Sequence, residues 1–331
     1  MTARSAAAST ATDGRIVVAL PDMPERVHMG DFPANVEVLV YPARAGLGTA
    51  DGVADAPMPD LARADLIVPL GPARQPVCEL LAGPPGRLRI IQTLSAGVDW
   101  LIGRVPEHVM VCNARGIYDR PLAEWVIGAI LAMQRGHIRS RDQQAKSEWD
   151  FFEPDELEGR RVVILGMGSI GSAIAARLRP FDVEIVGVGR AARDGVRGLA
   201  ELDEILPTAD ILVAMLPLTT ETAGLLDARR LALLPDGALV VNAGRGRTLV
   251  TDALVSELAS GRLRAALDVV DPEPLPSDHP LWALPNVLVT PHMAGDAPST
   301  TVRCFEMAGN QIRRFAAGEP LRNQVPRYML E

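Results

Sequence analysis

The chain has one lysine, Lys146, and its other cationic side chains are all arginine. This scarcity argues against Schiff-base catalysis and against a P-loop, both of which require a placed lysine. Cysteine is also sparse: Cys78, Cys112 and Cys304 are scattered, with no CxxC pair and no Cys/His cluster. Neither a disulfide framework nor a metal site is expected, and the three thiols read as small buried hydrophobes in a reducing cytosol. Positive charge is not in excess. A net charge of -8 argues against a sequence-independent nucleic-acid binder, which would carry a basic face. No apolar run is long enough to cross a bilayer: the longest, "LAEWVIGAILAM" (122–133), has the length of a core helix and carries Glu124. The opening "MTARSAAASTATDG" has no apolar h-region, so it reads as a loose tail. A cytoplasmic protein with no membrane partner is the expectation.

What is present is a two-part α/β pattern. At 331 residues, a prior of roughly 150 residues per domain gives two domains. Short runs rich in β-branched residues, "RIVVAL" (15–20), "VEVLVY" (36–41), "DLIVPL" (65–70), "LRIIQTL" (88–94) and "VMVCNA" (109–114), read as buried strands. Helical or turn-rich spacers between them suggest a parallel, doubly wound sheet, and "GLGTADGVADAPMPD" (46–60) reads as loop. One long helix is expected from Pro121 to Gln144, with Ala123, Ile127 and Ile130 at helical spacing. A second strand series follows: "RVVILG" (161–166), "VEIVGVG" (183–189), "DILVAML" (210–216), "ALVVNAG" (238–244), "RAALDVV" (264–270) and "NVLVTPH" (286–292). A last helix is expected from Thr300 to Ala317.

The second series opens with a phosphate-binding pattern. Gly166, Gly168 and Gly171 form GxGxxG after an apolar strand and before a helix bearing Ile170, Ile174 and Leu178 on one face. Gly166 permits the tight turn, Gly168 lets backbone approach a pyrophosphate, and Gly171 lets helix and strand pack closely. The next strand, "VEIVGVGR", should end in an acid that accepts hydrogen bonds from the adenosine ribose. It ends instead in Gly189 and Arg190, with Arg193 close behind. Losing the anion and gaining a fork-shaped cation suits a 2′-phosphorylated ribose. NADP(H) is therefore the expected cofactor, with NAD(H) the alternative.

A nicotinamide cofactor needs a proton donor beside the hydride acceptor. Of five histidines, His292 in "NVLVTPHMAG" follows a strand directly, where α/β sites lie. A nearby carboxylate would keep it protonated, and Asp268, Asp271 or Glu273 in "ALDVVDPEPLP" could serve. Arg245 in "VNAGRGRTLV" could clamp an anionic substrate at two points.

Taken in order, "LSAGVDWL", "GMGSIG", "LPLTTETAGLL", "VNAGRG", "LDVVDPEPLPSDHPLW" and "TPHMAG" resemble the D-isomer-specific 2-hydroxyacid dehydrogenases over about residues 90 to 295. Within that family the Gly-Arg strand ending is most similar to the glyoxylate/hydroxypyruvate reductases. The resemblance implies an α/β fold of two doubly wound parallel-sheet domains. A Rossmann cofactor domain (121–293) would be inserted in a discontinuous, flavodoxin-like substrate domain (1–120 and 294–331). It implies Arg245 as substrate clamp, Glu273 as hydrogen-bond partner of His292, and His292 as general acid. The backbone amides of Ala96 and Gly97 would bind the carboxylate of a small 2-keto or 2-hydroxy acid. Asp268 would hold the nicotinamide amide. Pro217 and Thr222 would line the cofactor, with Ser169, Ile170, Ala243, Gly244, Ala294 and Gly295. It also implies a homodimer, through a helix similar to "PLAEWVIGAILAM".

Other members of the group stay open: a phosphite, formate or phosphoglycerate enzyme, or a corepressor-like nucleotide sensor. The formate enzymes carry Gln where Glu273 stands, which disfavours them. Trp100, Tyr118 and Trp282 are the candidates for contact with the substrate side chain.

Overall fold

The computed structural model describes residues 14–43 and 58–331. The tail expected over residues 1–13, and the expected loop at 46–60 up to residue 57, lie outside the described residues. The chain divides into two compact units, Met1–Ala114 with Pro298–Glu331, and Arg115–Ala297.

In the first unit, β1 (Ile16–Asp22), β2 (Val36–Pro42), β3 (Leu66–Ile67), β4 (Ile90–Gln92) and β5 (Met110–Cys112) form a parallel sheet of order β2-β1-β3-β4-β5. Each falls on one of the five runs read as strands, β1 and β2 continuing past the ends of theirs to Asp22 and Pro42. β3 is much shorter than its apolar run: Val68 still donates to Ala19 O at 2.9 Å, but Pro69 has no N–H to continue the ladder. The first helix, α1 (Arg74–Ala82), buries Val77 and Leu81.

In the second unit, α2 (Asp119–Gln134) and α3 (His137–Lys146) precede seven parallel strands. These are β6 (Arg161–Leu165), β7 (Glu184–Gly189), β8 (Arg197–Gly198), β9 (Ile211–Ala214), β10 (Leu239–Asn242), β11 (Arg264–Leu267) and β12 (Val287–Val289), in the order β12-β11-β10-β9-β6-β7-β8. The helices between them are α4 (Ser169–Leu178), α5 (Leu202–Ile205), α6 (Ala228–Leu231) and α7 (Thr251–Ala259). Two-residue β8 has no apolar run of its own and escapes a reading by pattern. The order reverses between β6 and β9, and ligands of open α/β sheets bind outside the carboxyl ends of strands at such a point.

Alternation along β6 explains the three layers. Val163 and Leu165 join a core beneath Leu202, Ile205, Leu254 and Leu258 of α5 and α7. Val162 and Ile164 face the other way, into Ala123, Val126, Ile130 and Met133 of α2 and Ile174 and Leu178 of α4. Each fully buried Leu or Ile contributes roughly 1.5–3 kcal/mol.

The single helix expected over 121–144 is two helices, and Ile127 lies only partly inside the core. Gly136 is left-handed (φ 65°) and ends α2. A Cβ there would stand 2.3 Å from the Phe152 ring, so a side chain would collide with the segment that folds back over it. The last helix, α8 (Pro298–Ala316), returns to the first unit. Gly309 lets it approach Met29, whose carbonyl oxygen lies 2.2 Å from where a Cβ would be.

Candidate active site

The functional candidates of the second unit stand where its strands end. After β6 the chain turns through Gly166, Met167 and Gly168 into α4. Gly166 has φ 99° and a Cβ would sit 2.3 Å from Met215 O; at Gly171 it would sit 2.2 Å from Gly166 O. The fold itself therefore requires both glycines. Gly168 differs: a Cβ there meets nothing within 4 Å. The open space lies at the start of α4, where the amides of Ser169 and Ile170 stand in a first helical turn, whose N–H groups have no intrahelical acceptor. A glycine that the protein does not need, beside a helix N-terminus, is what close approach by a dinucleotide pyrophosphate calls for.

The wall opposite is also fastened from within. Thr222, 6% exposed, donates from Oγ1 to Pro217 O at 2.6 Å and accepts from Thr219 N at 2.9 Å. Thr222 thus shapes the loop that carries Pro217. Ala243 and Gly244 follow β10. Gly244 is obligatory, since a Cβ would lie 2.9 Å from Leu216 N and O.

At the end of β7, Arg190 does not project unaccompanied. Its Nε and Nη2 meet Glu221 Oε2 at 2.9 Å and Oε1 at 2.7 Å. Arg193 reaches back from a tight turn to donate to Met167 O, bracing the glycine-rich turn. Glu221 was not singled out in the sequence, because it stands 31 positions from Arg190 and only the sheet order brings them together.

The three remaining strand ends assemble a charged cluster. Asp268, 2% exposed, spends its carboxylate on the turn after β12. Oδ1 accepts from Thr290 Oγ1 at 2.6 Å and Met293 N at 2.9 Å, and Oδ2 accepts from Ala294 N at 2.9 Å. His292 N donates to Asp268 O at 2.8 Å. These bonds hold His292 at φ 52°, a left-handed conformation that a side chain rarely adopts unless the surroundings impose it. Gly295 packs under Tyr118, whose ring would be 2.8 Å from a Cβ.

His292 Nδ1 lies 2.9 Å from Glu273 Oε2, and Glu273 Oε1 accepts from Val270 N at 3.0 Å. The Glu273 hydrogen bond raises the His292 pKa, and the opposing effect of burial does not cancel it. Burial pushes Glu273 upward, but the hydrogen bonds from His292 and Val270 N outweigh it and hold the carboxyl below its usual value. Charged imidazolium beside carboxylate is thus the favoured state. Both side chains keep access to solvent, at 54% and 37% exposure.

Arg245 bears on both groups electrostatically. Its turn is held by Thr248 Oγ1, 2.7 Å from Arg245 O, and by Asn242, which accepts from Gly244 N at 3.1 Å. Gly246 must lack a side chain, for a Cβ would be 1.8 Å from Val270 O. Asn242, Thr248 and Thr290 bond groups that only the folded turns bring together, so motif reading passed over them. Asp296, four residues past His292, adds a further carboxyl: burial raises its pKa, the positive charge of His292 opposes this, and Asp268 reinforces it.

In the first unit, the loop after β4 holds Ala96 and Gly97. Ser95 O accepts from Ala114 N at 3.0 Å, and Ala96 O from Asn113 Nδ2 at 2.7 Å. In a trans peptide the N–H points opposite the C=O, so these bonds turn the Ala96 and Gly97 amides away from the groups that anchor the carbonyls. Trp100 stacks near Arg74, whose guanidinium carbon is 5.7 Å from the ring centroid. Trp282 is half exposed, with Nε1 on Pro276 O at 2.8 Å. Among the described residues, no helix is long and apolar enough to cross a membrane and no group of three His, Cys, Asp or Glu is placed to hold a metal.

A doubly wound sheet, a glycine turn with open space at a helix N-terminus, and a carboxylate-paired histidine beside an arginine together define a nicotinamide-dependent oxidoreductase of hydroxy or keto acids. Known proteins carry this further. The family model for the D-isomer specific 2-hydroxyacid dehydrogenase NAD binding domain matches residues 127–294, and the chain belongs to that family. It is 33% identical over 267 residues to glyoxylate/hydroxypyruvate reductase A of Klebsiella pneumoniae, covering 76% of this chain and 84% of that one. It is similar in structure to the NADPH-dependent glyoxylate/hydroxypyruvate reductase of Sinorhizobium meliloti, solved with NADP and sulfate. The TM-score is 0.78 at 30% identity, covering 96% of this chain and all of the other. A Xanthobacter autotrophicus D-isomer specific 2-hydroxyacid dehydrogenase, solved with NADPH and MES, gives a TM-score of 0.77 at 32% identity, with 94% and 98% covered. The protein is an NAD(P)-dependent 2-hydroxyacid dehydrogenase/2-keto acid reductase.

Proposed function

We propose that this protein reduces a small 2-keto acid of the glyoxylate or hydroxypyruvate type to the D-2-hydroxy acid, using NADPH in preference to NADH. The observation that carries the reading is the pairing of His292 with Glu273 at 2.9 Å, a hydrogen bond that raises the His292 pKa, within the field of Arg245. When bound, the dihydronicotinamide supplies the hydride. His292 Nε2 gives its proton to the substrate oxygen as charge develops there, and Glu273 stabilises the imidazolium beforehand. Arg245 polarises the carbonyl and orients the carboxylate.

Gly166, Gly168, Gly171, Ser169 and Ile170 would hold the pyrophosphate. Pro217, Thr222, Ala243, Gly244, Ala294 and Gly295 would line the rest of the dinucleotide. The part of Asp268 toward the cofactor would be to set the turn that carries His292 and Ala294, with its remaining acceptor capacity toward the nicotinamide amide.

NADPH is favoured by the end of β7, where Gly189 and Arg190 stand in place of a strand-end acid, and by NADP or NADPH in the similar structures of the two bacterial relatives. Residues 1–120 with 294–331 would be the substrate domain and 121–293 the cofactor domain; the two compact units part a few residues away, at 114/115 and 297/298. A homodimer and a cytoplasmic location belong to the same reading.

The test is a panel of glyoxylate, hydroxypyruvate, pyruvate and phenylpyruvate, each with NADPH and NADH. Highest kcat/KM for glyoxylate or hydroxypyruvate with NADPH is expected. Cofactor binding without turnover on any of the four would sink the proposal.

A further inference from the structure

The cofactor preference proposed above makes Arg190 the 2′-phosphate contact, yet Arg190 already holds an anion. Nε and Nη2 face the two oxygens of Glu221 at 2.9 and 2.7 Å, a fork-to-fork geometry in which both side chains stay about half exposed, at 53% and 51%. Glu221 comes from the loop after β9. Because β6 lies between β7 and β9, the pair joins the loops on either side of the glycine-rich turn. The carboxylate is not on a loose tether: its neighbour Thr222 is 6% exposed and tied to Pro217 O and Thr219 N.

The end of β7 lacks an acid because Gly189 stands there, with a Cβ position only 3.2 Å from Val196 and 3.3 Å from Arg193 Nη1. An acidic side chain at that point would crowd the turn that Arg193 braces. Glu221 brings a carboxylate to the same guanidinium from a different strand. We infer that Glu221 is a cofactor-discriminating residue: held on Arg190, it opposes a 2′-phosphate and accepts the hydroxyls of an unphosphorylated ribose. A carboxylate offers about four lone-pair sites, so it can keep Arg190 and still accept a ribose hydroxyl. A 2′-phosphate must take Arg190 from it, against like-charge repulsion. Exposed pairs of this kind are weak, so the displacement succeeds at a modest cost. Glu221 therefore narrows the preference for NADPH and keeps NADH usable.

This inference rests on Arg190 as the 2′-phosphate contact, and the experiment separates the two. Dissociation constants for NADPH and NADH are measured by nicotinamide fluorescence titration on the wild type, Glu221→Gln, Glu221→Lys and Arg190→Ala, with 2′,5′-ADP and AMP as competitors that report the ribose end alone. Glu221→Gln should shift the NADPH/NADH affinity ratio toward NADPH by about 2–5-fold, and Glu221→Lys further. Binding of 2′,5′-ADP should strengthen relative to AMP in the same order. Arg190→Ala should weaken NADPH and leave NADH little changed. A ratio unmoved in both Glu221 variants, with NADPH weakened by Arg190→Ala, overturns the role of Glu221 and leaves the Arg190 reading intact. An Arg190→Ala protein that binds NADPH as the wild type does overturns both. A residue serving only to hold the loop would alter melting temperature or both cofactors together, without moving their ratio.

Discussion

The two ends of the second sheet's ligand-facing edge are built by opposite means. Around His292 the backbone is tied by a buried carboxylate: Asp268, 2% exposed, bonds Thr290, Met293 and Ala294, and so imposes the conformation of the turn that carries His292. At the end of β7, Arg190 and Glu221 meet in solvent, each about half exposed. Buried, fully bonded polar groups hold one geometry because any departure leaves them unpaired at about 1–3 kcal/mol each. Exposed ion pairs exchange with water and salt at little cost. In the proposed mechanism, chemistry that tolerates no misplacement would sit at the first end, and a preference that can be adjusted by single charges would sit at the second.

The largest expected effect lies at the first end. Replacing His292 with Gln removes the proton donor and should lower kcat by about 10²–10⁴, with cofactor affinity nearly unchanged. Near-normal steady-state turnover in that protein would remove His292 from the mechanism.

The glycine turn between the two ends gives the next largest contrast. Gly166→Ala places a methyl 2.3 Å from Met215 O at φ 99° and should cost about 2–4 kcal/mol in thermal unfolding. Gly168→Ala meets no protein atom within 4 Å. It should melt within about 0.5 kcal/mol of the wild type, yet bind dinucleotide about tenfold more weakly. Equal melting of the two variants would mean that the turn is not wedged against β9.

Glu273→Gln should act on pH dependence. In the wild type the Glu273 hydrogen bond raises the His292 pKa, so reduction persists below that value and is lost as pH rises through it. Without the carboxylate the loss should occur at lower pH, and oxidation of the hydroxy acid, which needs neutral histidine, should begin at lower pH as well. The same sign governs stability: the pair's contribution through His292 is complete below its unfolded pKa of about 6.5 and disappears as pH rises through the raised folded value. An alkaline limb that stays in place would leave Glu273 with no electrostatic part.

The smallest effect is expected at the exposed end, where Arg190→Ala should change thermal stability by no more than about 1 kcal/mol. A larger loss would show that the pair braces the fold, and the contrast between the two ends would collapse.

Much of this architecture could be read along the chain because parallel strands buried on both faces are written as uninterrupted apolar runs, as in "RVVILG" and "ALVVNAG". The glycine turn was legible for a related reason: Gly166 and Gly171 answer to contacts that only a residue without Cβ allows. Less was legible where spacing misleads. The helical pattern from Pro121 to Gln144 runs through Gly136 without a break, and it took Phe152, folding back from sixteen residues on, to make that glycine a terminus.

By itself, then, the sequence determined the α/β class, the dinucleotide turn and the residue types able to do the chemistry, since each depends on local pattern or on a side chain's own properties. Tertiary structure alone decided how those side chains are paired. Glu273 reaches His292 because β11 and β12 are neighbours, Asp268 becomes the fastening of the turn that carries His292 rather than an exposed acid, and Arg190 acquires Glu221 across the end of β6. Pairing is set by strand order, and strand order follows from the packing of the whole sheet, which no short stretch of chain encodes.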